Sequence, residues 1–196
     1  MTGHTPTGAG GSSFEEVDLG TVFAALDLRP GAVLLDLACG RGFYSLHAAR
    51  HTPVSHIYAV DLWSEGLNGL RENIAREGLH TIEPVPADAG KGLPLPAGAV
   101  DRCLVATVLH DFVDDGVHAR VLEELARVMK PDAKLVIIEF HKVDSDKGPP
   151  RRVRLSPEEV GDLVAPAGFQ CGGSVTVSPR HYMCECAMHV KVVADQ

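Results

Sequence analysis

Four apolar runs punctuate the chain, each bounded by turn residues. They are Val33 to Leu37 after Arg29-Pro30-Gly31, Ile57 to Val60 before Asp61, Val100 to Ala106 after Pro96-Ala97-Gly98, and Leu135 to Phe140 after Pro131-Asp132. Because the runs are continuously apolar rather than alternating, they predict strands covered by helices on both faces. Between them, Leu67, Leu70 and Ile74 share one helical stripe, as do Val121, Leu122, Leu125, Val128 and Met129. A third helix is fully punctuated: Ser156 as N-cap, Pro157 in the first turn, Glu159 completing a capping box, Gly168 beyond the end, and Val160, Leu163, Val164 and Ala167 on its apolar face. Past Gly168, two β-rich stretches at 170–177 and 182–193 are separated only by Ser178-Pro179-Arg180-His181, too short for a crossover and therefore an antiparallel pair. The pattern is that of an α/β protein whose parallel sheet ends in a hairpin. No 20–50-residue repeat interrupts it. Residues 1–13 have no periodicity and are expected to form a flexible tail that orders only over a ligand, with one domain over 14–196.

Composition narrows the partners. The 196 residues suit one domain, and 45% apolar with 22% charged residues is ordinary for a globular protein. A formal charge of −8 opposes binding to a phosphate backbone or an anionic bilayer, so no nucleic acid partner is expected. No basic-then-hydrophobic leader opens the sequence and no apolar run approaches the ~18–20 residues of a bilayer span, so the expectation is a cytoplasmic protein without membrane insertion. Five scattered cysteines read most simply as reduced thiols. Oligomeric state is left open.

The candidate chemistry begins where the first strand runs into Asp36-Leu37-Ala38-Cys39-Gly40-Arg41-Gly42-Phe43 and a helical pattern follows. A glycine turn between strand and helix lets a ligand approach the backbone closely. Asp61 ends the next strand 19 residues after Gly42, placed to accept from ribose hydroxyls. Asp88, in Pro86-Ala87-Asp88-Ala89, is a further strand-end acid, placed to accept from an adenine amino group. The set proposes an adenosine-type ligand. The nicotinamide fingerprint G-x-G-x-x-G fails at Ser45, and Asp36 would repel a pyrophosphate while suiting the ammonium of an amino-acid moiety. The bland readings are a tight turn at the glycines, Asp61 capping the helix near Ser64, and Asp88 starting the turn that follows it.

At this point LLDLACGRG, VDLW, ADAGKGLPLPAGAVD and RVMKPDAKLVIIEF, in that order, resemble the class I S-adenosylmethionine-dependent methyltransferases, specifically the small type related to quinone-biosynthesis C-methyltransferases. The resemblance spans roughly residues 15–193, with Ala38 standing where the family's D-x-G-x-G-x-G loop has its first glycine. It implies a Rossmann-like seven-stranded, mostly parallel sheet with an antiparallel C-terminal hairpin strand, helices on both faces, and S-adenosylmethionine as cofactor. Carried over, it assigns Ala38, Gly40 and Gly42 to the methionine part, Asp61 to the ribose, Leu62 to an adenine face, Asp88 and Ala89 to the adenine edge, and the carbonyls near Ala106 to the methionine ammonium. The competing classes are a non-catalytic S-adenosylmethionine-binding module and a nicotinamide-dependent oxidoreductase.

Methyl transfer requires an acceptor held in line, excluded water and, for a protonated acceptor, a proton acceptor. Thr107, His110, Asp111, Glu139 and His141 fall at the ends of the fourth and fifth strands. His110 is expected as general base, tuned by Asp111 where their side chains converge; the alternative is that His110 only lines the pocket and Asp111 starts the turn before Asp114 and Asp115. The segment His141 to Leu155 carries Lys142, Lys147, Arg151, Arg152 and Arg154 against Asp144 and Asp146, a local +3. With His141, Arg151 and Arg152 as substrate-binding residues, it suggests a small anionic acceptor, the bland reading being a solvated surface. Cys184 and Cys186, near His181 and His189, lack zinc spacing, and no metal site is assigned.

Overall fold

Residues 10–188 are described by the computed structural model. The four apolar runs become neighbouring strands β1 (Val33–Leu37), β2 (His56–Asp61), β4 (Val100–Ala106) and β5 (Met129–Phe140). With β3 (Ile82–Pro86), β6 (Phe169–Thr176) and β7 (His181–Met188) they form one seven-stranded sheet in the order β3-β2-β1-β4-β5-β7-β6. All pairs from β3 to β5 are parallel, and β7 runs antiparallel to both β5 and β6. This is the expected architecture, with the hairpin closing the far edge. β5 starts earlier than the apolar run: Met129 pairs with Val100, the register then shifts past Pro131-Asp132, and unbroken pairing resumes at Lys134.

Helices cover both faces. α1 (Leu19–Leu26), α2 (Phe43–His51) and α3 (Ser64–Glu77) bury Leu26, Leu46, Leu67 and Leu70 with Leu34, Ile57 and Leu104 of the sheet. On the other face, α4 (Leu109–Asp114), α5 (His118–Val128) and α6 (Pro157–Val164) bury Leu109, Leu125 and Val160 with Leu35, Cys103 and Ile137. Alternate strand residues thus feed two cores, the reason for continuous rather than alternating hydrophobicity. The capping box of α6 is present, with Ser156 Oγ accepting from Glu159 N and Glu159 accepting from Ser156 N.

Two expectations change. Residues 10–13 are not a tail separate from the fold: Ser13 is buried, its hydroxyl 2.8 Å from the Tyr44 hydroxyl, and Phe14 packs on Phe43 and Tyr44. The cysteines are not all reduced, because the β6–β7 register sets Cys171 opposite Cys186 and the two form a disulfide. Cys39, Cys103 and Cys184 remain as thiols. Cys186 is therefore unavailable as half of a C-x-C pair, and among the described residues no group of three metal-ligating side chains occurs; His189 lies outside them. No helix among the described residues is long and apolar enough to cross a membrane.

Candidate functional site

Parallel strands all end on one edge of the sheet, and the loops there enclose a cavity of about 370 Å³. Its walls come from four strand ends: Leu37, Ala38 and Gly40 after β1; Val60 to Trp63 at β2; Ala87 to Gly90 after β3; and Ala106 to Val108 after β4. Asp111, Phe112, Asp114, Asp115 and Val117 close one side, and Gly10 and Gly11 close another.

The glycine loop is tied to β2 through one carboxylate. Asp61 Oδ2 accepts from Gly40 N at 2.7 Å and Oδ1 accepts from Trp63 N at 2.6 Å. Each oxygen keeps a lone pair for a ligand hydroxyl. Ala38 is left-handed, with φ 55°, as is Thr107 with φ 54°, and both line the cavity. Such a conformation costs an L-residue roughly 1–2 kcal/mol, so a cavity-facing backbone is held against local preference at two strand ends. Gly40 and Gly42 also have positive φ, but for different ends. Gly40 faces the cavity, whereas a methyl at Gly42 would lie 2.6 Å from Leu70 Cδ1. Gly42 is needed for seating α3 on the loop, and it does not line the cavity.

Asp36, expected near the ligand ammonium, is placed elsewhere. It is 2% exposed and its Oδ2 accepts from Ser45 N at 3.1 Å and Ser45 Oγ at 2.6 Å, tethering the first turn of α2 to β1. Burial pushes its pKa up to about 7, against the Ser45 hydrogen bonds that favour the anion and with the Asp61 charge adding to the rise. Asp88 does line the cavity, its Oδ1 accepting from Gly90 N at 3.0 Å and its Oδ2 paired with Lys91 at 2.7 Å. Leu62, Ala89 and Ala106 also line it. The Ala106 carbonyl accepts from Thr107 Oγ1 at 2.8 Å and retains one lone pair.

Asp111 and His110 converge, but on different layers. Asp111 lines the cavity; His110 is buried one step behind, its Nε2 3.5 Å from Asp111 Oδ1. His110 Nδ1 lies 2.9 Å and 3.0 Å from the two oxygens of Glu139, a side chain with no exposure, and His110 N donates to Glu139 Oε1 at 3.0 Å. The carboxylate thus fixes the ring with its hydrogen on Nδ1, leaving Nε2 to take a proton. Burial favours the neutral ring, yet the hydrogen bond and charge of Glu139, helped by Asp111, raise the His110 pKa. The Asp111 pKa is also raised, by burial first, with Glu139, Asp115 and Asp114 adding to the rise against His110.

Part of the charge of the basic segment is turned onto its own backbone. Arg154 is buried, and its guanidinium donates to the carbonyls of Pro149, His141, Val143 and Lys147 while lying over the Phe140 ring. Lys142 pairs with Glu159 at 2.5 Å. Arg151 Nε donates to Lys142 O at 3.3 Å, and His141 Nε2 lies 3.5 Å from Thr176 Oγ1. His141, Arg151 and Arg152 do not line the cavity.

Residues that the sequence reading did not single out complete the site. Trp63 lines the cavity with Arg41 over its ring, and a methyl at Gly66 would lie 2.6 Å from Gly40 O, so α3 presses directly on the ligand loop. The lone tryptophan directly after Asp61-Leu62 was a usable signal; the Gly66 contact is between segments distant in sequence and had none.

Residues 35–137 match the family model described as methyltransferase domain. The chain is 31% identical over 123 residues to a ubiquinone/menaquinone biosynthesis C-methyltransferase of Bordetella parapertussis, covering 62% of this chain and 46% of that protein. It is 33% identical over 116 residues to a demethylmenaquinone methyltransferase of Thermus thermophilus, covering 59% and 50%. The chain therefore spans about half the length of these curated relatives. A solved structure of an S-adenosylmethionine-dependent methyltransferase from Aquifex aeolicus superimposes with a TM-score of 0.78 at 31% identity, covering 89% of this chain and 91% of the other.

Proposed function

The chain belongs to the methyltransferase-domain family, and from that premise we propose that it transfers a methyl group from S-adenosylmethionine to a small ring acceptor bearing oxygen. The observation that carries this reading is the charge of the cavity. Asp61, Asp88, Asp111, Asp114 and Asp115 line it, and its described lining includes no lysine or arginine. An acidic wall suits a ligand with a sulfonium and an ammonium. It opposes the two phosphates of a nicotinamide dinucleotide, since like charges ~4 Å apart near a protein surface repel by about 4 kcal/mol.

S-adenosylmethionine supplies an electrophilic methyl group on a positively charged sulfur. In this reading the left-handed Ala38 and the bare Gly40 backbone meet the methionine part, Asp61 accepts from the ribose, Leu62 and Trp63 cover the adenine, and Asp88 with Ala89 reads its edge. Asp111, on the wall, receives the acceptor's proton, and His110 shares it at Nε2 while Glu139 holds Nδ1–H. The acceptor is thus made anionic inside the site. Arg151 and Arg152 lie off the cavity and make no contact with the acceptor in this reading. The choice of a ring acceptor is supported by the relatives, methyltransferases of ubiquinone and menaquinone biosynthesis and of demethylmenaquinone. A non-catalytic binding module would differ by binding S-adenosylmethionine while methylating no acceptor.

Calorimetric titration with S-adenosylhomocysteine, S-adenosylmethionine and NAD tests the cofactor. Both methionine-derived ligands are expected to bind and NAD to give no heat. NAD binding with no response to the other two would overturn the reading. Radiolabelled methyl transfer to 1,4-dihydroxynaphthalene tests the acceptor.

A further inference from the structure

Among the described residues that precede β1, Gly10 and Gly11 alone line the cavity. They do so without side chains. Gly10 has φ 87°, a conformation that glycine adopts freely, and a methyl built on it would lie 3.6 Å from Trp63 Cη2. The backbone of this segment therefore passes close to the ring of the one tryptophan in the chain. The segment lies before residues 35–137, the part that matches the methyltransferase-domain family, so the family match assigns it no role.

Three kinds of tie hold it. Farthest along the chain from the glycines, Asp18 N donates to Val177 O at 2.8 Å and Glu16 pairs with Arg180, fixing the chain to the β6–β7 turn. Next, Phe14 stacks on Phe43 with ring centroids 5.9 Å apart and meets Tyr44 and His47 edge-on at 5.2 Å and 5.7 Å. Nearest the glycines, the hydroxyls of Ser13 and Tyr44, residues only 3% and 6% exposed, lie 2.8 Å apart. Phe43 and Tyr44 open α2 directly after Gly42, so the segment is seated on the helix start that carries the glycine loop. Three residues of chain span at most about 10 Å, so Gly10 stays at the cavity while Ser13 is held. With Ser13 and Phe14 released, the nearest remaining tie is Glu16, which leaves the glycines a reach of about 20 Å. Ser13, Phe14 and Tyr44 do not line the cavity, so these ties touch the strap and not the ligand.

We propose that residues 10–14 are a gate over the methyl-donor site, with the Ser13–Tyr44 hydrogen bond as its latch. Donor enters and spent product leaves when the latch opens. Ser13 and Tyr44 are positioning residues, acting on exchange through Gly10 and Gly11. This inference rests on the methyl-transfer reading for the identity of the ligand. It carries a kinetic signature that a merely structural role lacks. Because the latch bond is made to the strap and never to the ligand, weakening it favours the open gate equally in the empty and the loaded protein. Entry and release then accelerate together while affinity stays the same.

Stopped-flow mixing of the full chain with S-adenosylhomocysteine, followed by the fluorescence of Trp63, reads both rate constants, and calorimetry reads Kd. Tyr44→Phe keeps the ring against Phe14 and deletes the latch bond. Both rate constants should rise by about three- to tenfold, the net worth of one buried hydrogen bond, with Kd within about twofold of wild type. Ser13→Ala removes the same bond from the strap side and should do the same. The double variant should be no faster than either single one, because there is one bond to lose. Unchanged rates in both single variants, a Kd raised by more than about twofold at an unchanged association rate, or effects that add in the double variant would overturn the gate. Wild-type protein that gives no heat with S-adenosylhomocysteine would instead refute the cofactor assignment. Heat without any change in Trp63 fluorescence would take Trp63 off the ligand's wall, and the gate with it.

Discussion

Asp36→Asn isolates the energetic cost of a buried acid that the fold keeps next to its ligand loop. The substitution preserves shape, and the new side-chain carbonyl can still accept from Ser45 N and Ser45 Oγ. What it removes is titration. With a folded pKa of about 7 against 3.8 unfolded, the folded state binds more protons than the unfolded state between these values. Wild-type stability from this group is therefore lost as pH rises through the window, and the loss is complete above pH ~7. A shift of about 3 units corresponds to roughly 4 kcal/mol at most, and about 2.6 kcal/mol of it falls between pH 5 and pH 8. Urea unfolding of both proteins at half-unit pH intervals reads this directly. The stability difference should grow in favour of the Asp36→Asn variant up to pH ~7 and then stay flat, while S-adenosylhomocysteine affinity changes little because Asp36 is off the cavity wall. A difference independent of pH, or a variant that loses ground to the wild type above pH 7, would refute the argument that burial dominates the Ser45 hydrogen bonds.

Three further outcomes follow from the same geometry. Gly42→Ala should cost about 2–4 kcal/mol by thermal or urea unfolding, from positive φ plus overlap with Leu70, and clearly more than Gly40→Ala, whose added methyl meets nothing within 4 Å. Ala38→Gly should gain up to about 1 kcal/mol, as relief of the left-handed backbone exceeds the added entropy of the unfolded chain; a loss would mean that φ 55° is unstrained there. Asp61→Ala should weaken S-adenosylhomocysteine binding by about fiftyfold or more in calorimetry, since it removes the anchor of Gly40 N and Trp63 N as well as the ligand contact.

Much of this arrangement was readable in one dimension because its causes are local. Ser156, Pro157 and Glu159 declare a helix start within four residues, and continuous apolar runs announce strands that feed two cores. Strand-end acids could be placed because parallel strands bring every carboxyl end to the same edge. Where the cause is a contact between distant segments, the sequence was silent or misleading. Asp36 looked like a ligand group until the fold set Ser45 beside it. Arg151 and Arg152 looked like a grip on an anion, but the loop winds around Arg154 and turns part of its charge inward. The Cys171–Cys186 bond depends on hairpin register, and five cysteines do not specify a pairing. β3, Ile-Glu-Pro-Val-Pro, carries two prolines and survives because it is the edge strand, with β2 on one side only. Glu139 was visible as a strand-end acid; that it would be wholly buried and hold His110 by two separate donors was not.

The acidic wall also bears on what happens after the reaction. A methyl donor enters as a sulfonium and leaves as a neutral thioether, so one of the charges that held it disappears at the moment of transfer. Five aspartates that favour entry have less hold on what remains. On the methyl-transfer reading proposed above, the site would therefore hold its spent product less tightly than fresh donor.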